Sequence, residues 1–451
     1  TATGYYTNNT PSGAMRTFGV LQPTFAIESL MDICSEKLGI DPIELRMING
    51  MKDGAVTHTR QVLGKVAYTE TLKKCSEIAG WEVGSSRVRG AVRKDIKGSQ
   101  IAEPYIPGKE FKSEEAMKLC RDRFKYGRGV GTGWYGIGRC ATIDKAGAFV
   151  EIDDGGTAMI LTGVSEIGEG ILTVLTQIAA DELGMYPEDI TIGDNDTARV
   201  PEAAHVGASR QTYMIGNAVC NACRDVKKKF IREMAAYWNI DSSSICMKNR
   251  RIYVEGNAQY NLSLKEAVDI CKKVRGIVPL GSGTYTAHHE GLDPVDGRGN
   301  PWQAYVFGTQ IAEVAVDTFT GEVHVLGIWA AHDVGRVINP RGVEGQIEGG
   351  AVQSMGQTIM ENYVLSEGVP TNKNFAKYIL PTSVDVPEIH SYLVEERDPF
   401  SPVGAKGIGE PAPLPTAPAI VNAIYDAVGV RITSLPAIPE KILNEISKMK
   451  N

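Results

Sequence analysis

A glycine-rich run, GRGVGTGWYGIG at residues 127–138, limits the choice of fold more than any other stretch of this chain. Gly131, Gly133 and Gly136 have the spacing GxGxxG, which marks a dinucleotide-binding fold only when it lies between a strand and a helix. The residues that follow, RCATIDKAGAFVEID, are typical of a strand. The sequence therefore argues against that fold and predicts glycines that let a backbone or a ligand approach closely.

Strand-like and helix-like segments are mixed throughout the rest of the chain. GAFVEID, TAMILTG and DITIGD predict strands, and ILTVLTQIAADELG predicts a helix that ends at Gly184. GTQIAEVAVDTFTGEVHVLGIWAAHDVG predicts a hairpin around a Thr-Gly turn, and VEGQIEGGAVQSMGQTIMENYVL predicts a helix with small residues on one face. Antiparallel hairpins together with helices predict an α+β fold with mixed sheets.

The first hundred residues have helical periodicity instead. Residues 20–50 predict a helix, a turn and a second helix, with Asp41 as the N-cap and Pro42 in the first helical position. A further helix is predicted over residues 69–80, and the mixed, charged residues 84–126 are the candidate boundary between domains. A length of 451 residues favours two or three domains.

Composition excludes several classes of partner. The net charge is −7 and no basic run is present, so nucleic acid is not an expected partner. No apolar stretch approaches the roughly 20 residues of a membrane helix. The eight cysteines are scattered, which favours a reducing, cytoplasmic location over a disulfide framework. Cys220 and Cys223 form one CxxC motif in a segment that predicts an amphipathic helix. Because zinc and iron–sulfur sites usually need three or four ligands, this motif favours buried structural thiols.

Three segments combine glycine with small polar residues near a predicted helix. They are GVSEIGEGILTVLTQIA at 163–179, HVGASRQTYMIGNAV at 205–219 and VEGQIEGG at 343–350. The N–H groups at a helix N-terminus can bind an anion, although each segment by itself is equally compatible with an ordinary glycine turn. Together they suggest a large, polar, anionic cofactor surrounded by backbone.

A fourth stretch, SPVGAKGIGEPAPLPTAPAIVNAI at 401–424, holds a single carboxylate, Glu410, between glycines and prolines. A carboxylate held at a fixed point can act as a general base. The alternative is an acid that faces the positive end of the following helix. In isolation, this stretch favours the second interpretation.

Taken in order, these segments resemble the molybdenum-binding subunit of the xanthine oxidase family, the molybdenum hydroxylases. The family's AFRGFGxPQ, GxxExGQGxxTxxxQI and SASRxTYxxGNA motifs are similar to GAMRTFGVLQ, GVSEIGEGILTVLTQI and GASRQTYMIGNA here. AAHDVGRVINPRGVEGQIEGGAVQSMG and PVGAKGIGEPAPLPTAPAIVNAI are similar to its last two cofactor segments. The resemblance implies a two-domain molybdopterin-binding architecture. Residues 1–105 would be the end of a first domain, 106–126 a linker, and 127–451 a second domain that carries the catalytic glutamate.

The resemblance also implies a role for individual residues. Glu410 matches the family's catalytic base, and the substrate would lie against Phe18, Arg16 and Tyr135. The molybdenum would be held by the pterin, in its cytosine dinucleotide form, and by no protein side chain. The cofactor would be surrounded by Met15, Arg16, Thr17, Glu166, Gly168, Glu169, Gly170, Ala208, Ser209, Arg210, Gln211, Thr212, Gln346, Lys406, Gly407, Ile408 and Gly409.

The implied reaction is the hydroxylation of a carbon next to a ring nitrogen, as in purines or nicotinate, with water as the oxygen source. The electrons would pass to a [2Fe–2S] subunit and an FAD subunit in a dimer of heteromers, and the N-terminal part of the unit is expected on another chain or removed by cleavage. The alternatives are an aldehyde or aromatic acyl-CoA oxidoreductase of the same family, or a non-catalytic subunit that retains the fold.

Two positions depart from the family pattern. Glu169 replaces the usual glutamine, and a carboxylate beside an anionic centre should be either protonated or turned away. Gly138 and Arg139 stand near the place where purine enzymes supply a second stacking phenylalanine. The second departure leaves room for another N-heteroaromatic such as nicotinate.

Overall fold

The computed structural model describes residues 5–10, 13–84, 122–140 and 142–450, with Ser113 and Lys118 between the second and third ranges. Its α-helices are α1 Leu21–Leu38, α2 Pro42–Asn49, α3 Tyr68–Ile78, α4 Ile171–Leu183, α5 Gly216–Trp238, α6 Leu264–Asp269, α7 Pro340–Ile359, α8 Thr416–Val428 and α9 Pro439–Lys450. Its strands are β1 Phe124–Gly136, β2 Lys145–Ile152, β3 Ala158–Leu161, β4 Ile190–Ile192, β5 Ile245–Lys248, β6 Arg251–Val254, β7 Asn257–Ser263, β8 Leu280–Thr286, β9 Gly291–Leu292, β10 Gly299–Asn300, β11 Tyr305–Asp317, β12 Val323–Asp333, β13 Leu365–Ser366, β14 Val369–Pro370 and β15 Glu388–Val394. The predicted α+β class is confirmed.

The predicted helix–turn–helix is formed by α1 and α2. Asp41 caps α2, because its carboxylate accepts the N–H groups of Ile43 and Glu44 at 2.8 and 3.1 Å. Pro42 occupies the first helical position, where a missing N–H is not needed. The start of α2 is therefore set by local sequence, as predicted.

The first sheet has the order β1–β11–β12–β15, with β15 parallel to β12 and the other pairs antiparallel. The predicted hairpin is the β11–β12 pair. Side chains alternate along β11: Ile311 packs with Leu72 of α3, whereas Val314 packs with Ile420 of α8. Helices therefore cover both faces of this sheet.

One hydrophobic cluster joins the two sides of the predicted 106–126 linker, because Leu72 and Val130 belong to the same core. Most of that linker lies outside the described residues. The division into 1–105 and 127–451 stays a prediction.

The glycines of the GxGxxG run lie in β1, so the run itself is a strand, and the next described element is the strand β2, which agrees with the argument against a Rossmann loop. A Cβ on Gly129 would overlap the carbonyl oxygen of Ala419 and the amide nitrogen of Ala423, and one on Gly131 would overlap the carbonyl oxygen of Pro415. These glycines therefore let the backbone of α8 lie directly on the sheet, which was one of the two predicted reasons for them.

In the second sheet, β4–β3–β2–β8, glycines likewise allow the backbone of α5 to lie directly on a strand. Cβ atoms on Gly281 and Gly283 of β8 would overlap backbone atoms of Ala222 and Ala218. Cys220 of the CxxC lies on α5, and burial raises the pKa of its thiol to about 12. The burial of this thiol agrees with the structural role predicted for it.

No helix in the ranges that the structure describes is both long and apolar enough to cross a bilayer. Five irregular segments at the ends of these elements converge. Four of them precede α1, α4, α5 and α8, and the fifth connects β12 to α7.

Candidate active site

The five segments enclose a cavity of about 560 Å³. Most of the residues predicted to form the site line it, although they come from positions up to about four hundred residues apart. Those that do are Met15, Arg16, Phe18, Gly168, Glu169, Gly170, Ser209, Arg210, Gln211, Thr212, Gln346, Lys406, Gly407, Ile408, Gly409 and Glu410. The fold therefore brings together segments that the sequence could only single out separately.

Four predicted residues do not line the cavity: Thr17, Glu166, Ala208 and Tyr135. Thr17 and Ala208 are buried behind the wall, and the carbonyl of Ala208 accepts the N–H of Gly138 at 2.9 Å. Tyr135 is buried in β1, and burial followed by the negative charge of Glu410 raises the pKa of its hydroxyl. Tyr135 thus interacts with the site through charge without forming its wall.

Glu166 shapes the loop that leads into α4. Its carboxylate accepts the N–H groups of Gly168 and Gly170 at 2.8 and 2.9 Å, and that of Leu172 at 3.2 Å. Burial alone would raise the pKa of Glu166, but these N–H donors lower it overall. Glu166 therefore folds the loop instead of contacting whatever occupies the cavity.

Glu169 belongs to the lining of the cavity. One carboxylate oxygen, Oε2, accepts the N–H of Ile167 at 2.8 Å, while Oε1 is buried and has no hydrogen-bond partner among the described residues. Burial, and then the neighbouring Glu166, raise the pKa of this carboxyl. Burial thus disfavours the charged form of Glu169, and the residue remains part of the cavity lining.

The segment before α5 presents its backbone to the cavity. Arg210 is fully buried, and its guanidinium donates to Asp144 at 2.8 Å and to the carbonyl of Lys145 at 3.0 Å. The side-chain amide of Gln211 donates to the carbonyl of Ser165 at 3.2 Å, and this bond connects the segment before α5 to the segment before α4. These side chains hold the wall together and are already hydrogen-bonded within it.

Lys406 behaves in the same way. Its ammonium lies 2.7 Å from Asp333 at the end of β12, and both side chains are buried. Burial raises the pKa of Asp333 to about 6 in spite of the attraction of Lys406. This pair fixes the segment that carries Glu410 to the first sheet.

Glu410 is 9 % exposed and lines the cavity. The hydroxyl of Ser209 donates to its Oε2, and its own N–H donates to the same hydroxyl at 3.0 Å. Because α8 begins only at Thr416, Glu410 is not an acid of the first helical turn. The bounds of α8 therefore do not support the alternative interpretation of Glu410 as an acid that faces the positive end of this helix.

Arg16 joins two other segments beside Glu410. Its Nε donates to the carbonyl of Gly409 at 2.6 Å, and an Nη donates to the carbonyl and the side-chain oxygen of Gln346 at 3.2 and 3.1 Å. Phe18 is 57 % exposed at the same wall. The site therefore places a carboxylate, a guanidinium and an exposed aromatic ring around one space.

The donor set of the cavity suits a large anion. Residues at the starts of α4 and α7, and in the helical turn that leads into α5, line it, and helix N-termini attract negative charge. Nothing lies within 4 Å of where a Cβ would project from Gly168 or Gly170. The size, the backbone donors and the open space beside these glycines fit a molybdopterin.

Sequence reasoning missed the apolar part of the wall and most of the segment after β12. These residues include Ile171, Val174, Val206, Val334, Arg336, Ile338, Asn339, Gly342 and Val343. The Asn339-Pro340 pair is a helix-start signal that could have placed the start of the predicted helix α7 at Pro340, since the side chain of Asn339 caps it.

Comparison with known proteins agrees with this donor set. Family models described as molybdopterin cofactor-binding domain match residues 1–50 and 106–387. The xanthine dehydrogenase molybdenum-binding subunit of Escherichia coli is 30% identical, over 98% of this chain and 54% of its own length. The chain thus spans about half the length of the curated relatives that it matches.

Two solved structures share the fold. Quinoline 2-oxidoreductase from Pseudomonas putida superposes with a TM-score of 0.80 at 25% identity, over 97% of this chain and 53% of that one. The aldehyde oxidoreductase from Desulfovibrio gigas superposes with a TM-score of 0.75 at 28% identity, over 96% and 42% of the two chains.

Proposed function

The chain belongs to the molybdenum-binding subunits of the xanthine oxidase family, and on that premise we propose that it carries the catalytic site of a molybdenum-dependent hydroxylase. The substrate would be an N-heteroaromatic compound of the purine or nicotinate type, oxidised at a C–H next to nitrogen with water as the oxygen source.

One observation carries the proposal: Glu410 is a nearly buried carboxylate, held by Ser209, in the wall of a cavity with the donors for an anionic cofactor. A general base must lie within hydrogen-bond reach of the proton that it removes, and burial with fixed partners supplies that geometry. This arrangement favours a catalytic site over a non-catalytic subunit that retains the fold.

The chain's own residues divide the work. Backbone groups of 168–171, 209–212 and 406–409 would bind molybdopterin, which supplies a metal that accepts two electrons from the substrate. Glu410 would accept the proton that is released as oxygen is transferred. Phe18 would stack on a planar ring, and Arg16 would keep the carbonyl of Gly409 and the side chain of Gln346 in place.

The relatives support this substrate class without choosing within it. One is named for xanthine and one for quinoline, and both are N-heteroaromatic compounds. The similarity to an aldehyde oxidoreductase supports the alternative substrate, an aldehyde, at the same site. An aromatic acyl-CoA is the third possibility.

The partners are part of the proposal. The name of the relative as a subunit supports an assembly with other chains, which we propose to be a [2Fe–2S] subunit, an FAD subunit and the remaining molybdopterin-domain chain. We further propose that the cofactor is the cytosine dinucleotide form of molybdopterin. The assembly would be a dimer of heteromers located in the cytoplasm.

The test is the purified complex with Glu410→Gln, compared with Glu348→Gln on the exposed side of α7. We expect both variants to keep molybdenum, and turnover to fall at least about 10²-fold in Glu410→Gln alone. Near-normal turnover in Glu410→Gln would exclude Glu410 as the base, and a complex without molybdenum would favour a non-catalytic subunit.

A substrate panel then separates the candidates. Hypoxanthine, xanthine, nicotinate and aldehydes are added to the anaerobic complex, and the reduction of its redox centres is followed by absorbance. Reduction by a heteroaromatic compound supports the main proposal, whereas reduction by aldehydes alone supports the alternative.

A further inference from the structure

We propose that Ser209 is a positioning residue that directs one oxygen of Glu410 towards the reacting proton, and that this is its role instead of binding the cofactor through its hydroxyl. The inference rests on the proposed function of Glu410 as the base. It concerns a contact between two segments that lie 201 residues apart.

The hydrogen-bond directions around Ser209 are determined by one amide. The N–H of Glu410 can only donate, so the hydroxyl oxygen accepts it, at 3.0 Å. The single hydroxyl proton is then directed to Oε2 of the same residue. One side chain thus holds Glu410 at both its main chain and its carboxylate.

This arrangement makes the two carboxylate oxygens unequal. Oε2 is engaged by the hydroxyl of Ser209, whereas no described residue donates a hydrogen bond to Oε1. Oε1 is therefore the oxygen with free lone pairs in a residue that lines the cavity. In the proposed reaction the proton goes to Oε1 and the bond to Ser209 is kept.

The backbone at Ser209 is held in an unfavourable conformation that aims the hydroxyl. Ala208 and Ser209 have φ values of 56° and 50°, and two successive non-glycine residues in the left-handed region are unusual. The conformation is maintained from both sides: the carbonyl of Ala208 accepts from Gly138, and the buried Arg210 is anchored by Asp144. Such local strain tends to occur where function requires it.

The neighbouring segment is fitted to the same residue. A Cβ on Gly407 would overlap the carbonyl oxygen of Ser209, so only glycine lets the two main chains come this close. The contact places Glu410 within reach of the hydroxyl. Three titratable groups from other segments also interact electrostatically with Glu410, namely Arg16, Tyr135 and His205.

The test uses the assembled, molybdenum-loaded complex with Ser209→Ala, and Ser76→Ala as the matched control. Ser76 is also a buried serine, but it donates to the carbonyl of Lys73 in α3, away from the cavity. We expect kcat of Ser209→Ala to fall on the order of 10²-fold, with KM and molybdenum content unchanged, as misplacement of a reacting group implies. Ser76→Ala should keep the parent kcat.

Two further readouts separate positioning from a merely structural role. Without the hydroxyl donor the charged carboxylate is less favoured, so the acidic limb of the kcat/KM profile should move to higher pH. Ser76→Ala should leave that limb in place, because Ser76 donates to the carbonyl of Lys73 in α3 and not to Glu410. A crystal structure of Ser209→Ala should show the Glu410 carboxylate rotated or in more than one orientation.

The double variant Ser209→Ala/Glu410→Gln completes the design. If Ser209 acts through Glu410, the double variant should be no slower than Glu410→Gln alone. Ser209→Gly, which adopts the positive φ without strain, repeats the test should the alanine variant fail to fold.

Parent kinetics and an unmoved Glu410 carboxylate in Ser209→Ala would overturn the inference, as would loss of molybdenum, which would assign the hydroxyl to the cofactor. If Glu410→Gln is inactive, either of these results for Ser209→Ala leaves the proposed function of Glu410 intact. If Glu410→Gln is active, the proposed function itself fails.

Discussion

Two glycine-rich regions of this molecule use the same residue for opposite purposes. In β1, a Cβ on Gly127, Gly129 or Gly131 would overlap backbone of α8 or of the residue just before it. In the loop before α4, Gly168 and Gly170 have φ values of 98° and 87°, and no atom lies within 4 Å of where a Cβ would project. The strand glycines are needed for contact, and the loop glycines for conformation and open space.

The difference shows which glycines belong to the fold and which to the site. Glycines of β1 lie in extended backbone that any residue could adopt, so only the adjacent helix excludes a side chain. Glycines of the loop occupy the left-handed side of φ space, which disfavours other residues even without a neighbour. Substitutions should therefore damage stability in β1 and cofactor binding in the loop.

Gly129→Ala should have the largest effect on stability. Its methyl group would overlap the backbone of α8, which cannot move as a flexible side chain can, so we expect a loss of about 3 kcal/mol or more. The measurement is urea unfolding of the purified full chain. Gly64→Ala is the control, since Gly64 has open space and no positive φ, and it should change stability by less than about 1 kcal/mol. Equal stability of Gly129→Ala and Gly64→Ala would contradict the claim that the β1 glycines are needed for contact with α8.

Adjacent glycines in α7 give a second, smaller test. A Cβ on Gly350 would lie 2.8 Å from Cβ of Ala412 and 3.1 Å from Cδ of Pro413, just after Glu410, whereas Gly349 is exposed with nothing within 4 Å. Gly350→Ala should therefore destabilise the chain by about 1–3 kcal/mol and lower turnover.

Gly349→Ala is the matched control for this pair and should stabilise the chain by about 0.5–1 kcal/mol, because alanine favours a helix interior. Thermal unfolding and turnover of both variants decide the outcome. A shift of the same sign in both would contradict the packing assigned to Gly350.

Gly168→Ala should cost only about 1 kcal/mol, the penalty for a side chain on the left-handed side of φ space, with cooperative unfolding retained. The loop would nevertheless adopt a different path, so we expect a marked loss of molybdenum from the purified complex. Metal analysis is the measurement. Full molybdenum content in Gly168→Ala would show that the open space beside this glycine is not used by the cofactor.

A last test concerns the pH dependence of stability in the first sheet. Asp317 at the turn of the β11–β12 hairpin accepts from Arg123 at 2.8 Å. Burial would raise the pKa of Asp317, but Arg123 and the N–H groups of Phe319 and Thr320 lower it to about 2.

Because the pKa of Asp317 is lowered in the folded state, its stabilisation is complete above about pH 4 and is lost as the pH falls towards 2. Urea unfolding at several pH values should show a smaller loss of stability over this range in Asp317→Asn than in the parent chain. An identical pH dependence would contradict the assignment.

Much of the fold was predictable because its signals are local. Asp41 and Pro42 start α2, and Gly184 ends α4. The strand-like sequence after residue 138 argued against a dinucleotide-binding loop. The site residues were singled out by their glycine-rich segments and by the resemblance that those segments carry. These features depend on a few adjacent residues, so a sequence is enough to recognise them.

The sequence by itself determined most of the longer helices, the strands β2, β3, β4, β11 and β12, and the segments that meet at the cavity. Only the tertiary structure decided which groups face it: the side chains of Arg210, Lys406 and Glu166 turn away to hold the wall, and Ser209 contacts Glu410. The physical reason is that local conformation depends on neighbours in the chain, whereas the direction of a side chain depends on partners that folding brings from far away.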